Sequence, residues 1–253
     1  MEYLLSMQEA AGFEYLEQTA STNSDLLAKA KDLPEFYVLA TDFQTAGKGR
    51  MERSWEASPG SSVMASILLR PSFTESSGIG WLSLLTALAI SKAIGSLGRE
   101  AKIKWPNDVL IREKKVSGIL AEASTDLSCL VVGFGINVNQ SKEALPVETA
   151  TSLSVESGGF IDRDQLLATV IQNLKTLYSQ LSAFGGDAQA SGLRQAILSL
   201  SATVGQQVSV EFPDGHKVFG LAKDIDLTGR LVIETASETL TVSAGDVLHL
   251  RKA

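Results

Sequence analysis

Between Gly80 and Leu97 apolar residues return at helical intervals, and Gly98 supplies a stop. The same period governs residues 162–184, where Leu166, Leu167, Val170, Ile171, Leu174, Leu177 and Tyr178 share one face. Asp162 followed by Gln165 resembles a capping box at its start. Shorter helices are predicted over 24–32, entered through Ser21, Thr22 and Asn23, and over about 190–200. Apolar or alternating runs at 36–43, 61–70, 101–105, 108–112, 116–123 and 129–138 predict strands joined by polar turns. After Val204 the texture changes. Brief strands are split by PDG (213–215), DLTG (226–229) and a Ser-Glu turn near 237–238, the spacing of a small β-barrel. The expected architecture is α+β: a mixed β-sheet flanked by helices over 1–202, then a compact β module over 203–253.

Composition narrows the function classes. The 253 residues, 44% hydrophobic and 20% charged, suit a globular protein with a full core. Twenty-two basic against 29 acidic side chains give a net charge of −7, which argues against non-specific nucleic-acid binding. Cys129 is the only cysteine, so an internal disulfide or a cysteine zinc cluster is excluded, and its apolar strand suits a buried, inert thiol. The start, MEYLLSMQEA, lacks the basic-then-apolar order of a signal peptide, and the most apolar window, WLSLLTALAI, is too short to cross a bilayer. A cytoplasmic protein with no membrane partner is expected.

Both histidines, His216 and His249, lie in the C-terminal module, and nothing in the body has metal-ligand spacing, so no metal ligands are predicted. Catalysis in the body would then be electrostatic, with cations and backbone N–H groups neutralising charge on phosphate or carboxylate oxygens. Residues 44–60, QTAGKGRMERSWEASPG, have the parts for it: Gly47 and Gly49 beside Lys48, Arg50 and Arg53. A nucleotide P-loop is excluded, because Asp42 and Gly49 stand where it needs a glycine and a Ser or Thr. The same residues would also serve as a solvated turn. Trp55 could wall a planar ligand or sit in the core. In KWPND (104–108), Pro106 imposes a turn that presents Asn107 and Asp108. In KKVSGILAE (114–122), Gly118 gives up side-chain packing within an apolar strand, a mark of close approach by a ligand or another backbone. Lys115 leads into that strand from the charged turn REKK, and a solvated lysine is the plain reading of it. VVGFGINVN (131–139) carries two glycines and ends its apolar run on Asn137, a ligand-reading amide or a turn former. Ser21-Thr22-Asn23 reads as a helix cap.

Taken together in this order, STN, QTAGKGR with R-x-W, KWPND, K-x-x-G-I-L-x-E and G-x-G-I-N resemble the signatures of the biotin–protein ligases. The resemblance runs from about Ser21 to Asn139 and more loosely through the terminal module. It implies a catalytic domain like that of the class II aminoacyl-tRNA synthetases, followed by an SH3-like barrel. It also implies two steps. Biotin and Mg²⁺-bound ATP give biotinyl-5′-AMP, and a lysine of a biotin carboxyl carrier protein, or biotin-dependent carboxylase subunit, then takes the biotinyl group. Carried over by position, Ser21, Thr22, Asn23 and Gln44 would bind biotin. Gly47, Lys48, Gly49 and Arg50 would close over biotin and the adenylate. Arg53 would meet phosphate, and Trp55 would wall the site. Lys115 would hold carboxylate and α-phosphate oxygens together, with Asp108 beside it and Asn107 toward the nucleotide. Gly118 would leave room for biotin, and Asn137 would read adenine. Two departures stand out: Lys48 replaces the usual arginine, and Met51-Glu52 replaces a stretch that often ends in glycine, which puts adenylate retention in question. The rival readings are a lipoate–protein ligase, a ligase/repressor with a DNA-binding domain, and an inactive biotin-binding module. About twenty residues precede Ser21, too few for the DNA-binding domain. A strand-edge homodimer is compatible with the chain, and no motif decides it.

Overall fold

The structure, a computed structural model, describes residues 3–51, 53–73, 79–212, 215–243 and 246–249. Among them, seven strands form one mixed sheet: β1 (Gly12–Thr19), β2 (Tyr37–Gln44), β3 (Ser62–Leu69), β4 (Lys102–Lys104), β5 (Asp108–Ile111), β6 (Lys114–Ala123) and β7 (Leu130–Asn137). Their spatial order is β1-β2-β3-β7-β6-β5-β4, with β1 parallel to β2 and the other pairs antiparallel. Every position of β3 and β7 is buried. Central strands covered on both faces lose hydrophobic alternation, which is why both read as continuous apolar runs. One face is covered by α3 (Leu82–Ser96) and α5 (Arg163–Ala183), and the other by α2 (Thr22–Lys29), whose Leu26 packs, together with Ala30 just after the helix, on Leu39, Leu68, Cys129 and Val131.

The long helix α5 buries all seven residues of its expected apolar face. Only half of the expected capping box forms. Asp162 accepts from the Asp164 and Gln165 amides, but the Gln165 side chain turns to Thr169. A second helix start uses the same place: Asp164 accepts from the Leu5 and Ser6 amides of α1 (Leu4–Glu9), capping it from another element. Two short helices follow the main sheet, α4 (Leu153–Ser157) and α6 (Leu193–Ser199). At α2 the expectation needs correcting. Ser21 occupies the cap position without a capping bond, and the Thr22 amide donates instead to Gln44 Oε1 at 2.8 Å.

Strands β8 (Gln207–Glu211), β9 (Lys217–Ile225), β10 (Leu231–Glu234), β11 (Thr239–Val242) and β12 (Asp246–His249) form an antiparallel sheet ordered β11-β10-β9-β8-β12. Of the PDG turn, Pro213 and Asp214 lie outside the described residues. This module is bonded to the main body. Trp81 Nε1 donates to Leu227 O at 3.0 Å and Trp105 Nε1 to Gly229 O at 2.9 Å, while the Trp105 amide donates to Thr203 Oγ1 at 3.0 Å. Among the described residues, no helix is long and apolar enough to cross a membrane.

Candidate active site

A cleft of about 930 Å³, solvent included, opens where the ends of β2, β5, β6 and β7 meet α2 and the loop after β2. One corner is polar and pre-arranged. Gln44 Oε1 accepts from the Thr22 amide and hydroxyl, and Ser66 Oγ bonds Thr22 Oγ1 at 2.7 Å and Asn23 Oδ1 at 2.6 Å. The Asn23 amide donates to Leu120 O and to Glu122 Oε2 at 2.7 Å. Asn23 is thereby fully committed to the protein, whereas the Ser21 hydroxyl makes no capping bond and lines the cleft.

The loop from 47 to 55 folds back on itself. The Gly49 amide donates to Arg53 O, and the Trp55 amide donates to Gly47 O. A side chain at Gly47 would lie 2.5 Å from Trp55 O, so the closure needs glycine there. Lys48 Nζ reaches Ser24 Oγ on α2 at 2.9 Å, tying the loop across the polar corner. Met51 takes φ +53°, a conformation that favours glycine. Glu52, expected among these cations, lies outside the described residues.

Trp55 lies over the strands because two glycines leave room. A methyl group at Gly135 would sit 2.2 Å from its ring, and one at Gly118 3.3 Å. Gly133 does the same for Asn23, at 2.1 Å. Beside the indole, Lys115 Nζ lies 6.0 Å from its ring centroid and pairs with Asp108 Oδ1 at 2.7 Å. Local structure explains how they meet. The β5–β6 hairpin turns through Arg112 and Glu113, both with positive φ, and a bulge follows opposite Val109 and Leu110. The extra β6 residue resets the alternation, putting Lys115 on the face of Gly118. A methyl group at Gly118 would lie 3.0 Å from Lys115 Nζ. Asn107 closes the turn onto β6, its amide donating to Ile119 O at 2.7 Å.

The cleft is lined by Lys48, Arg50, Arg53, Lys104 and Lys115 against Asp108, the single carboxylate lining it among the described residues. In a chain of net charge −7, that concentration of cations marks a place for anions. Ser21, Thr22, Asn23, Gln44, Gly49, Trp55, Asn107 and Gly118 line it as well. Asn137 does not. It is 4% exposed, donates to Thr151 O at 3.1 Å and accepts from Gln140 Nε2 at 2.9 Å. Its carboxamide braces the segment at 149–151, whose backbone accepts from the Lys115 amide and donates to the Lys115 carbonyl.

Residues 15–137 match the biotin/lipoate A/B protein ligase family, and residues 203–250 match the biotin protein ligase C-terminal domain. The chain is 36% identical to the biotin–[acetyl-CoA-carboxylase] ligase of Mycobacterium tuberculosis, across 94% of this chain and 89% of that one. The chain belongs to the biotin protein ligase family. It is also 31% identical to the bifunctional ligase/repressor BirA of Bacillus subtilis, over 92% of this chain and 72% of the relative. The fold is similar to that of the biotin protein ligase from Aquifex aeolicus in complex with biotin and ATP, with a TM-score of 0.81 at 28% identity, covering 96% of this chain and 100% of that one.

Three features of this biotin protein ligase fold were not legible in the sequence. Lys104 brings a further cation, and Glu122 fixes the Asn23 amide. Val247 of β12 reaches the cleft from the C-terminal module. Glu122 ends the apolar run of β6, where its charge was the available signal, and Lys104 opens KWPND. Nothing local pointed to Val247.

Proposed function

We propose that this biotin protein ligase activates biotin with ATP and passes the biotinyl group to a lysine of a biotin carboxyl carrier protein. The observation that carries this reading is the Lys115–Asp108 pair, set among cations beside a preorganised polar corner. A neutral bicyclic head needs hydrogen-bonding groups, and Ser21, Thr22 and Gln44 offer them. The carboxylate tail then lies toward the cations. In the first step a biotin carboxylate oxygen attacks the α-phosphorus of ATP, the bond to the β-phosphate oxygen breaks, and pyrophosphate leaves. Two anions must approach, and Lys115, Arg50 and Arg53 supply the opposing charge. In the second step the neutral carrier amine attacks the acyl carbon, the acyl–phosphate bond breaks, AMP leaves, and the amine's proton passes to water. Asp108, held against Lys115, keeps the ammonium oriented in the first step and lies where the amine would enter in the second. No histidine is among the described residues that line the cleft, and neither step calls for one.

Magnesium enters as substrate, carried on the phosphates of ATP. The lining suits that route, because Asp108, the single carboxylate among its described residues, is engaged by Lys115 and phosphate oxygens would supply the remaining ligands. Residues 1–202 are assigned to catalysis, and 203–253 to a module that completes the cleft through Val247. A lipoate ligase is not favoured, since the relatives that match nearly the whole chain are biotin ligases.

The test is mass spectrometry of a carrier domain incubated with the protein, biotin, ATP and Mg²⁺. One biotinyl addition is expected. No addition, or equal addition of lipoyl from lipoate, overturns the reading. Lys115→Ala should retain the fold and lose pyrophosphate release, and unchanged release removes Lys115 from the mechanism.

A further inference from the structure

The loop that carries Lys48, Arg50, Arg53 and Trp55 leaves β2 and returns at β3. The two strands stop pairing at Thr41 and Met64, so the last residues of both stems lack ladder bonds to one another. A side chain from the far helix bridges them. Arg163 Nη1 donates to Asp42 Oδ1 at 2.6 Å on the outgoing stem and to Ser62 O at 3.0 Å on the returning one. The Gly60 amide adds a bond to Asp42 O at 3.0 Å, and Arg163 Nη2 faces Gly60. The second Asp42 oxygen accepts from Tyr15 OH at 2.8 Å.

The placement of this arginine is costly. Arg163 is 5% exposed, and a buried guanidinium needs full compensation. It is also the first residue of α5, where the helix dipole disfavours a cation. Neither helix propensity nor apolar packing accounts for it, whereas bonds to acceptors on the two opposite stems help to offset the cost.

We propose that Arg163 is a positioning residue that clamps the stems of the cationic loop, and so sets how well the loop retains the adenylate. This rests on the reading of the cleft as the biotin and ATP site. Arg163 acts through Asp42 and Ser62 and does not line the cleft. Its loss should loosen the loop more than it slows the chemistry.

Purified Arg163→Met, Arg163→Lys and Asp42→Asn proteins are compared with the parent. Three readouts are used: adenylate dissociation, steady-state biotin activation, and tryptic cleavage after Lys48, Arg50 and Arg53 without ligand. For Arg163→Met, adenylate dissociation and loop cleavage should each rise about tenfold, and the KM for biotin should rise while kcat stays within about threefold. A lysine nitrogen can still supply the bonds to Asp42 Oδ1 and Ser62 O from which the clamp is argued, so Arg163→Lys should recover part of the loss. A folded Arg163→Met with parental dissociation and cleavage overturns the clamp, as does failure of lysine to rescue. If Arg163→Met does not fold, Asp42→Asn carries the test: faster dissociation and cleavage support the clamp, and parental values overturn it. Should the parent form no adenylate, the functional reading fails, while cleavage of the ligand-free proteins still decides the clamp.

Discussion

Gly118 shows how a missing side chain sets the geometry of a charged one. A methyl group there would lie 3.0 Å from both Cε and Nζ of Lys115, and 3.3 Å from the Trp55 ring. Gly118→Ala should therefore push the ammonium off Asp108. A misplacement of about 1 Å costs on the order of a hundredfold in rate, which is the loss expected in pyrophosphate release, with the melting midpoint little changed. Glu122 acts at one remove. Removing it takes a carboxylate acceptor from the buried Asn23 amide, so Glu122→Ala should raise the KM for biotin about tenfold with kcat nearly intact, read from steady-state pyrophosphate release. Residues of this kind were partly legible. The glycines of G-x-G stood out in an apolar run, but their purpose, room for Asn23 and Trp55 from distant segments, exists only once the chain has folded. Asn137 shows the reverse: a polar residue ending an apolar run suggested ligand contact, and the structure spends it on Thr151 and Gln140.

Among elements, those with a strong period were the readable ones. Helices α3 and α5 and the central strands follow their apolar pattern within a residue or two. Helix α1 and strand β1 went unread because six residues show no period and β1 is half-buried along most of its length. The start of α2 was misjudged because its first amide is satisfied by Gln44, from a strand 22 residues on. That bond joins an element end to the ligand corner. Gln44→Ala should both fray α2 and weaken biotin binding. Loss of a cap-type acceptor costs about 1 kcal/mol, so the melting midpoint should fall by about 2–4 °C, as calorimetry would show. A fall in stability with unchanged biotin affinity would separate the two roles.

At the scale of the whole molecule, the two sheets communicate through Trp105. Its amide donates to Thr203 Oγ1, which lies 3.3 Å from His249 Nε2 on β12. Burial, and then the nearby Lys104 charge, hold the His249 pKa below its usual 6.5, against an opposing pull from Glu113. The folded protein thus binds this proton less readily than the unfolded chain. The contribution is present above pH 6.5 and is lost as the pH falls from there through the depressed value. The melting midpoint should decline over that window, and His249→Gln should flatten that part of the profile. The tryptophan joint carries a different consequence. Both indoles bond to carbonyls of one turn, at Leu227 and Gly229, and Asp226 holds the turn by accepting from Thr228 and Arg230. A carbonyl is the same whatever residue bears it, so drift at position 227 costs this joint little. Adding or deleting a single residue there would instead shift both acceptors at once, so descendants of this chain should vary residue 227 while keeping Asp226, Gly229 and the turn's length.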